Sequence, residues 1–210
     1  QSPFLILREG LWGELNNLPR LDKPCFTLLK TQHNMNAKLK EMQTRMETEH
    51  KALFKHLHNY PDDLLNKKPA PDAWSVVQVL KHLITADGYS LDYLRKKVLS
   101  KEAVKNEGLT GLYKSLLLKV IFLTPLKFKA PKVVDPDAEF TTLKELEEKW
   151  TEIRLGINEA TKQMTDEQLS QGYWKHARAG KMNIYQMFDF LHIHFTRHKK
   201  QIERTLKAVK

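Results

Sequence analysis

The chain alternates between stretches in which apolar residues recur every third or fourth position and stretches broken by proline and glycine. Over residues 36–60, Leu39, Met42, Met46, Leu53, Phe54 and Leu57 follow that spacing with charged residues between them, which predicts an amphipathic helix, and Pro61 closes it. Pro61, Pro69 and Pro71 then lead to Ser75 and Gln78, which have the spacing of a capping box. A second helix is expected from Ser75 to about Ser100, with Val76, Val79, Leu80, Leu83, Leu91, Leu94 and Val98 on its apolar side. Residues 101–140 are less regular. A short apolar helix is expected over 112–123, and Pro125, Pro131 and Pro136 forbid a long one, so this stretch reads as a crossover or lid. Thr142 and Glu145 repeat the capping-box spacing and open a third long helix carrying Leu143, Leu146, Trp150, Ile153, Ile157 and Met164. Residues 165–168 add about a turn, the period breaks over 172–180, and Asn183 with Gln186 caps a fourth helix expected to reach Lys207.

Four long helices with a long irregular crossover between the second and third predict an all-α four-helix bundle over residues 35–210. Residues 1–34 mix Pro3, Pro19 and Pro24 with isolated apolar residues and read as an N-terminal extension outside that bundle. A 210-residue chain that is 41% hydrophobic can bury one substantial core. No stretch approaches the roughly 20 apolar residues of a membrane span, and residues 116–126, the most apolar, are interrupted by Lys119 and Pro125. Gln1 stands where a start methionine would, which points to residues upstream, and no basic run precedes the short apolar patch of residues 3–7, so a cytoplasmic location is expected. Cys25 is the single cysteine, which excludes an internal disulfide and a cysteine-cluster metal site.

The net charge of +10 raises the question of a nucleic-acid partner. Its distribution argues against one. Residues 1–60, 61–140 and 141–210 carry 9, 13 and 13 basic against 6, 10 and 9 acidic side chains, so the excess is spread evenly as +3, +3 and +4. Clusters such as Arg95-Lys96-Lys97 and Lys199-Lys200 sit near the ends of expected helices, where cations complement the helix dipole.

Candidate chemistry concentrates on the fourth helix. Ile184, Met187, Phe188, Leu191, Phe195, Ile202 and Leu206 define its buried stripe, and His194 and His198 fall inside it. An i to i+4 step leaves two side chains about 40° apart and one turn along the axis, so both imidazoles can share one metal ion. His192 lies about 200° from His194 and cannot join them. A packed or hydrogen-bonded pair is the ordinary outcome for two such histidines. A third changes the weighing: His82, between Val79 and Ala86 at the edge of the second helix's stripe, can also face the interior, and bundles assemble metal sites from facing helices.

Trp74-Ser75-Val76-Val77-Gln78-Val79-Leu80-Lys81-His82-Leu83 resembles the W-S-x-x-Q-x-x-x-H-L opening of the second helix in DinB-like proteins, a superfamily that includes YfiT-like hydrolase-type members and thiol-dependent S-transferases. The resemblance continues through Lys127-Phe128-Lys129-Ala130-Pro131 and residues 176–180. It ends with His194-Phe195-Thr196-Arg197-His198-Lys199-Lys200-Gln201-Ile202, similar to the family's H-x-x-x-H-x-x-Q-I. It implies that His82, His194 and His198 are the ligands of one divalent metal ion, zinc or nickel, and that the protein is a homodimer. Three neutral imidazoles leave a coordination position open, as catalytic sites do.

Three functional readings follow. The resemblance implies a transferase that activates a low-molecular-weight thiol for attack on an electrophilic small-molecule substrate. The second is a hydrolase in which an activated water attacks a carbonyl. The third is a non-catalytic helical binding module using its basic surface. Asp87 and Asp189 are candidate partners for imidazole N–H groups, Trp74, Tyr89, Tyr93 and residues 112–128 are candidate pocket residues, Gln201 lies one turn beyond His198, and His176 sits in a loop whose family counterparts approach the site. His33, His50, His56 and His58 are expected in solvated or cap-proximal roles.

Overall fold

The long helices of the N-terminal half of the chain start where a side chain can accept the first free backbone N–H groups. In the computed structural model, which describes residues 36–100, 113, 134–176 and 180–210, α1 spans Ala37–Leu57 and Asn36 accepts from the backbone of Lys38 and Leu39. Its buried positions, Leu39, Gln43, Met46, His50, Leu53, Phe54 and Leu57, keep the 3–4 period read from the sequence. Pro61 ends that period but also opens a short helix, α2 (Asp62–Asn66), for which the sequence pattern predicts no element. Pro61 lacks an N–H to lose and Asp62 and Asp63 complement the dipole. Asp62 accepts from the backbone N–H of Leu143 at 2.8 Å, and Asn66 donates to the carbonyl of Thr141 at 3.0 Å, so α2 fixes the approach to a later helix.

That later helix is α4 (Leu143–Lys162), and before it comes α3 (Val76–Ser100). Ser75 with Gln78 and Thr142 with Glu145 form the two expected capping boxes. A third, Thr165 with Gln168, opens α5 (Asp166–Ser170). A fourth, Asn183 with Gln186, opens α6 (Ile184–Val209), two residues longer than expected. Where the helical period breaks, the chain forms an antiparallel hairpin, β1 (Trp174–His176) and β2 (Gly180–Met182), pairing Trp174 with Met182 and His176 with Gly180. Gly180 has φ 81°, a conformation that favours glycine. The helix expected over 112–123, the 127–131 motif, Cys25, His33 and the extension 1–34 lie outside the described residues.

The protein is mostly helical. Two apolar layers form the core. One joins Leu53, Phe54 and Leu57 of α1, Val76 to Ile84 of α3, Leu143 to Trp150 of α4, and Phe195, Ile202 and Leu206 of α6. The other joins Leu39 and Met46, Leu91 and Leu94, Ile157, the hairpin, and Ile184 to Leu191. The start of α3 therefore meets the start of α4 but the ends of α1 and α6. So α3 and α4 run in parallel, and α1 and α6 run the other way. Among the described residues no helix is long and apolar enough to cross a membrane.

Candidate metal centre

The antiparallel pairing of α3 and α6 brings the early part of one level with the late part of the other. His82 and His194 are 5% and 6% exposed, and His198 is half-buried. One ring nitrogen from each lies within 4.8 Å of the other two, and the Nε2 atoms of His82 and His194 are 3.1 Å apart.

Hydrogen bonds at the far side of two rings settle which nitrogen faces inward. His82 Nδ1 is 2.8 Å from the carbonyl oxygen of Val134, which can only accept, so Nδ1 carries the proton and Nε2 presents a lone pair. His198 Nδ1 donates in the same way to Gln201 Oε1 at 2.9 Å. The ring of Phe190, one turn before His194 on α6, stacks on it at 5.5 Å with 13° between planes, and Trp74 tilts over His82 at 5.1 Å.

Burial keeps the three rings neutral. It pushes His198 down to about 3, with the neighbouring His82 adding to the effect. It holds His194 well below its ordinary value, assisted by His198 and His82. It also lowers His82, against the Val134 hydrogen bond and Asp135, which raise it. Neutral imidazole is the form that binds a cation.

The lone pair of His82 Nε2 faces His194 Nε2 at 3.1 Å, a distance that places a proton or a cation between them. A hydrogen-bonded pair would satisfy His82 and His194 but gives no reason for a third imidazole to converge. A divalent ion does: bonds of about 2.0–2.1 Å set tetrahedral ligands about 3.3 Å apart. The donor set, its spacing and the tautomers fixed at His82 and His198 fit such an ion.

The other candidates divide. Gln201 holds the ring of His198. His176, at the end of β1, packs on Phe190 at 4.6 Å and lies close enough to His194 to contribute to its lowered basicity. Asp87 is engaged elsewhere. It lies about 140° round α3 from His82, and its Oδ2 accepts from Trp150 Nε1 at 2.8 Å and from Arg154 Nη1 at 3.4 Å. Tyr89 shares the face of His82 but stands two turns away, about 10 Å along the axis. It is half-buried there. His192 turns outward to Glu49 at 3.0 Å. His50, expected in a solvated or cap-proximal role, is instead buried against Trp150 and Phe54. Sequence reasoning did not reach Phe190, although its four-residue spacing from His194 was a usable signal. Val134 acts through its backbone and has no such signal.

Comparison with known proteins gives the family of the chain. The uncharacterized protein YuaE of Bacillus subtilis (strain 168) is 25% identical over 167 residues, covering 80% of this chain and 95% of YuaE. No solved structure gives a significant match. The pattern of the DinB superfamily matches residues 45–202, from the middle of α1 to beyond the last of the three histidines. The chain belongs to the DinB superfamily.

Proposed function

We propose that the chain is a metal-dependent enzyme built as a four-helix bundle, in which His82, His194 and His198 hold one zinc or nickel ion and a low-molecular-weight thiol is activated for transfer to an electrophilic substrate. The observation that carries the metal reading is the convergence of three ring nitrogens within 4.8 Å inside the protein. Membership of the DinB superfamily supports it. The transferase reading rests on the resemblance to the thiol-dependent S-transferases of that superfamily.

The chain's own residues prepare the site in three ways. Val134 and Gln201 hold the Nδ1 protons of His82 and His198, so that each presents Nε2. Burial keeps all three rings unprotonated near neutral pH. Phe190 and Trp74 cover ring faces of His194 and His82, limiting water there. A divalent ion bound by three imidazoles would lower the pKa of a thiol or water at its open position. A homodimer belongs to the proposal by family likeness, which light scattering on the purified protein checks, and a cytoplasmic location by the sequence reading of the N-terminus.

Elemental analysis of protein purified without a histidine tag is expected to give one zinc or nickel per chain, lost in His82→Ala and His198→Ala. No stoichiometric metal in the wild type would overturn the enzyme reading and favour a non-catalytic binding module. With metal present, common cellular thiols plus a model electrophile are assayed against simple esters and amides. Turnover confined to the esters or amides would replace the transferase by a hydrolase.

A further inference from the structure

A lysine is buried beside a proposed metal ligand, and the metal centre does not explain it. The Lys81 side chain is 8% exposed, whereas its ion-pair partner Asp137 is 38% exposed. Water could solvate Asp137 without help, so the pair is not needed to satisfy that carboxylate. The desolvation cost falls on Lys81, and a buried pair of this kind is weak as a source of stability. Its position suggests another role.

Lys81 Nζ donates to Asp137 Oδ1 at 2.5 Å and to the Glu139 carbonyl at 2.8 Å. Gln78, nearly one turn earlier, donates from Nε2 to the Asp137 carbonyl at 3.2 Å. His82 donates from Nδ1 to the Val134 carbonyl. Gln78, Lys81 and His82 stand at i, i+3 and i+4, so one face of α3 carries every one of these links. The segment they grip, residues 135–140, has no regular secondary structure, and no strand or helix ladder fixes its backbone. The place of the Val134 carbonyl therefore depends on these side-chain anchors.

We propose that Lys81 is a positioning residue for His82: through Asp137 it fixes the 134–139 segment so that the Val134 carbonyl keeps the His82 proton on Nδ1 and its Nε2 lone pair aimed at His194 and His198. The inference rests on the three-histidine reading of the metal centre, and its test separates the two. In metal-free, nitrogen-15-labelled full-length protein, the tautomer of His82 is read by NMR. Wild type is expected to hold the Nδ1–H form, and Lys81→Met to show a mixture. Asp137→Ala cuts the same link from the exposed side and gives a second reading if Lys81→Met folds poorly. Titration with cobalt(II) is expected to show affinity about 10–100-fold lower in both variants, with far-UV circular dichroism unchanged. A purely structural role for Lys81 would move the melting temperature and leave the tautomer alone. Variants that keep the Nδ1–H form of His82 and bind cobalt within about twofold of wild type overturn the proposal. If wild type itself takes up no cobalt, the metal reading falls and the tautomer measurement alone decides the role of Lys81.

Discussion

His50 should make the protein sensitive to mild acid, and its substitution should remove a defined part of that sensitivity. The ring packs edge-on against Trp150 at 4.3 Å and Phe54 at 4.9 Å, and its buried Nε2 has no hydrogen-bond partner among the described residues. Burial, with the Arg154 cation adding to it, pushes the imidazole from 6.5 down to about 3. His198, also lowered to about 3, behaves alike in metal-free protein. Below pH 6.5 the unfolded chain takes up protons at these positions that the folded chain refuses until about pH 3. Stability is therefore level above that window and falls as pH drops through it. At pH 5 the unfolded form of each group is favoured by a factor of about 30, or about 2 kcal/mol, so the two together cost about 4 kcal/mol. The lowered basicity of His82 and His194 acts in the same direction. Against a total of about 5–15 kcal/mol for a domain, that is a large share.

The assay is urea unfolding of chelator-treated protein at pH 7, 6 and 5, followed by circular dichroism. His50→Leu conserves volume approximately and deletes the unpartnered nitrogen. At pH 7 it is expected to lie within about 1 kcal/mol of wild type, because lost ring contacts of about 0.5–1.5 kcal/mol are offset by removing an unsatisfied polar group. At pH 5 it should be about 2 kcal/mol more stable than wild type. A variant whose stability falls with acid as steeply as that of the parent refutes the reasoning.

The buried Asp87–Arg154 pair, 5% and 8% exposed in its side chains, predicts that Arg154→Leu costs about 3–5 kcal/mol in urea unfolding, because it strands a carboxylate that burial already pushes up. Adding Asp87→Asn, which still offers Trp150 an acceptor, should recover much of that loss. Two helix glycines should respond in opposite senses in thermal melts. A Cβ at Gly88 meets Ile153 Cδ1 at 3.6 Å, so Gly88→Ala is expected to stabilise by about 0.5–1 kcal/mol. A Cβ at Gly156 meets the buried Leu91 Cδ2 at 2.7 Å, so Gly156→Ala must displace Leu91 and is expected to lower the melting temperature. Thr142→Ala breaks the capping box at the start of α4 and should cost about 1 kcal/mol.

Helix starts were legible because a capping box is a local device: Ser75 with Gln78, Thr142 with Glu145 and Asn183 with Gln186 need no knowledge of the rest of the chain. The hairpin at residues 174–182 was not legible. Its strands are three residues each, too short for alternation to register, and the inward side chains Trp174 and Met182 are placed by the core they meet. The same distinction runs through the site. The spacing of His194 and His198 fixes their common face, whereas the partners of Asp87, Trp150 and Arg154, come from another helix and no spacing along α3 announces them.

The arrival of residues 134–139 over His82 belongs to the topology. Because α3 and α4 are parallel, the chain leaving Ser100 must return the length of α3, about 37 Å at 1.5 Å per residue, before α4 can begin. The residues just before Leu143 are thus delivered to the level where α3 starts, and His82 lies only two turns inside that start. A segment without periodicity is carried past the histidines by the helices' directions, and Gln78 and Lys81 are the side chains on α3 that meet it. Had α3 and α4 been antiparallel and joined by a hairpin, the turn would follow Ser100, at the end of α3 far from His82. Residues 134–139, the end of the stretch read from the sequence as a crossover or lid, therefore supply the hydrogen bond that sets the tautomer of this histidine.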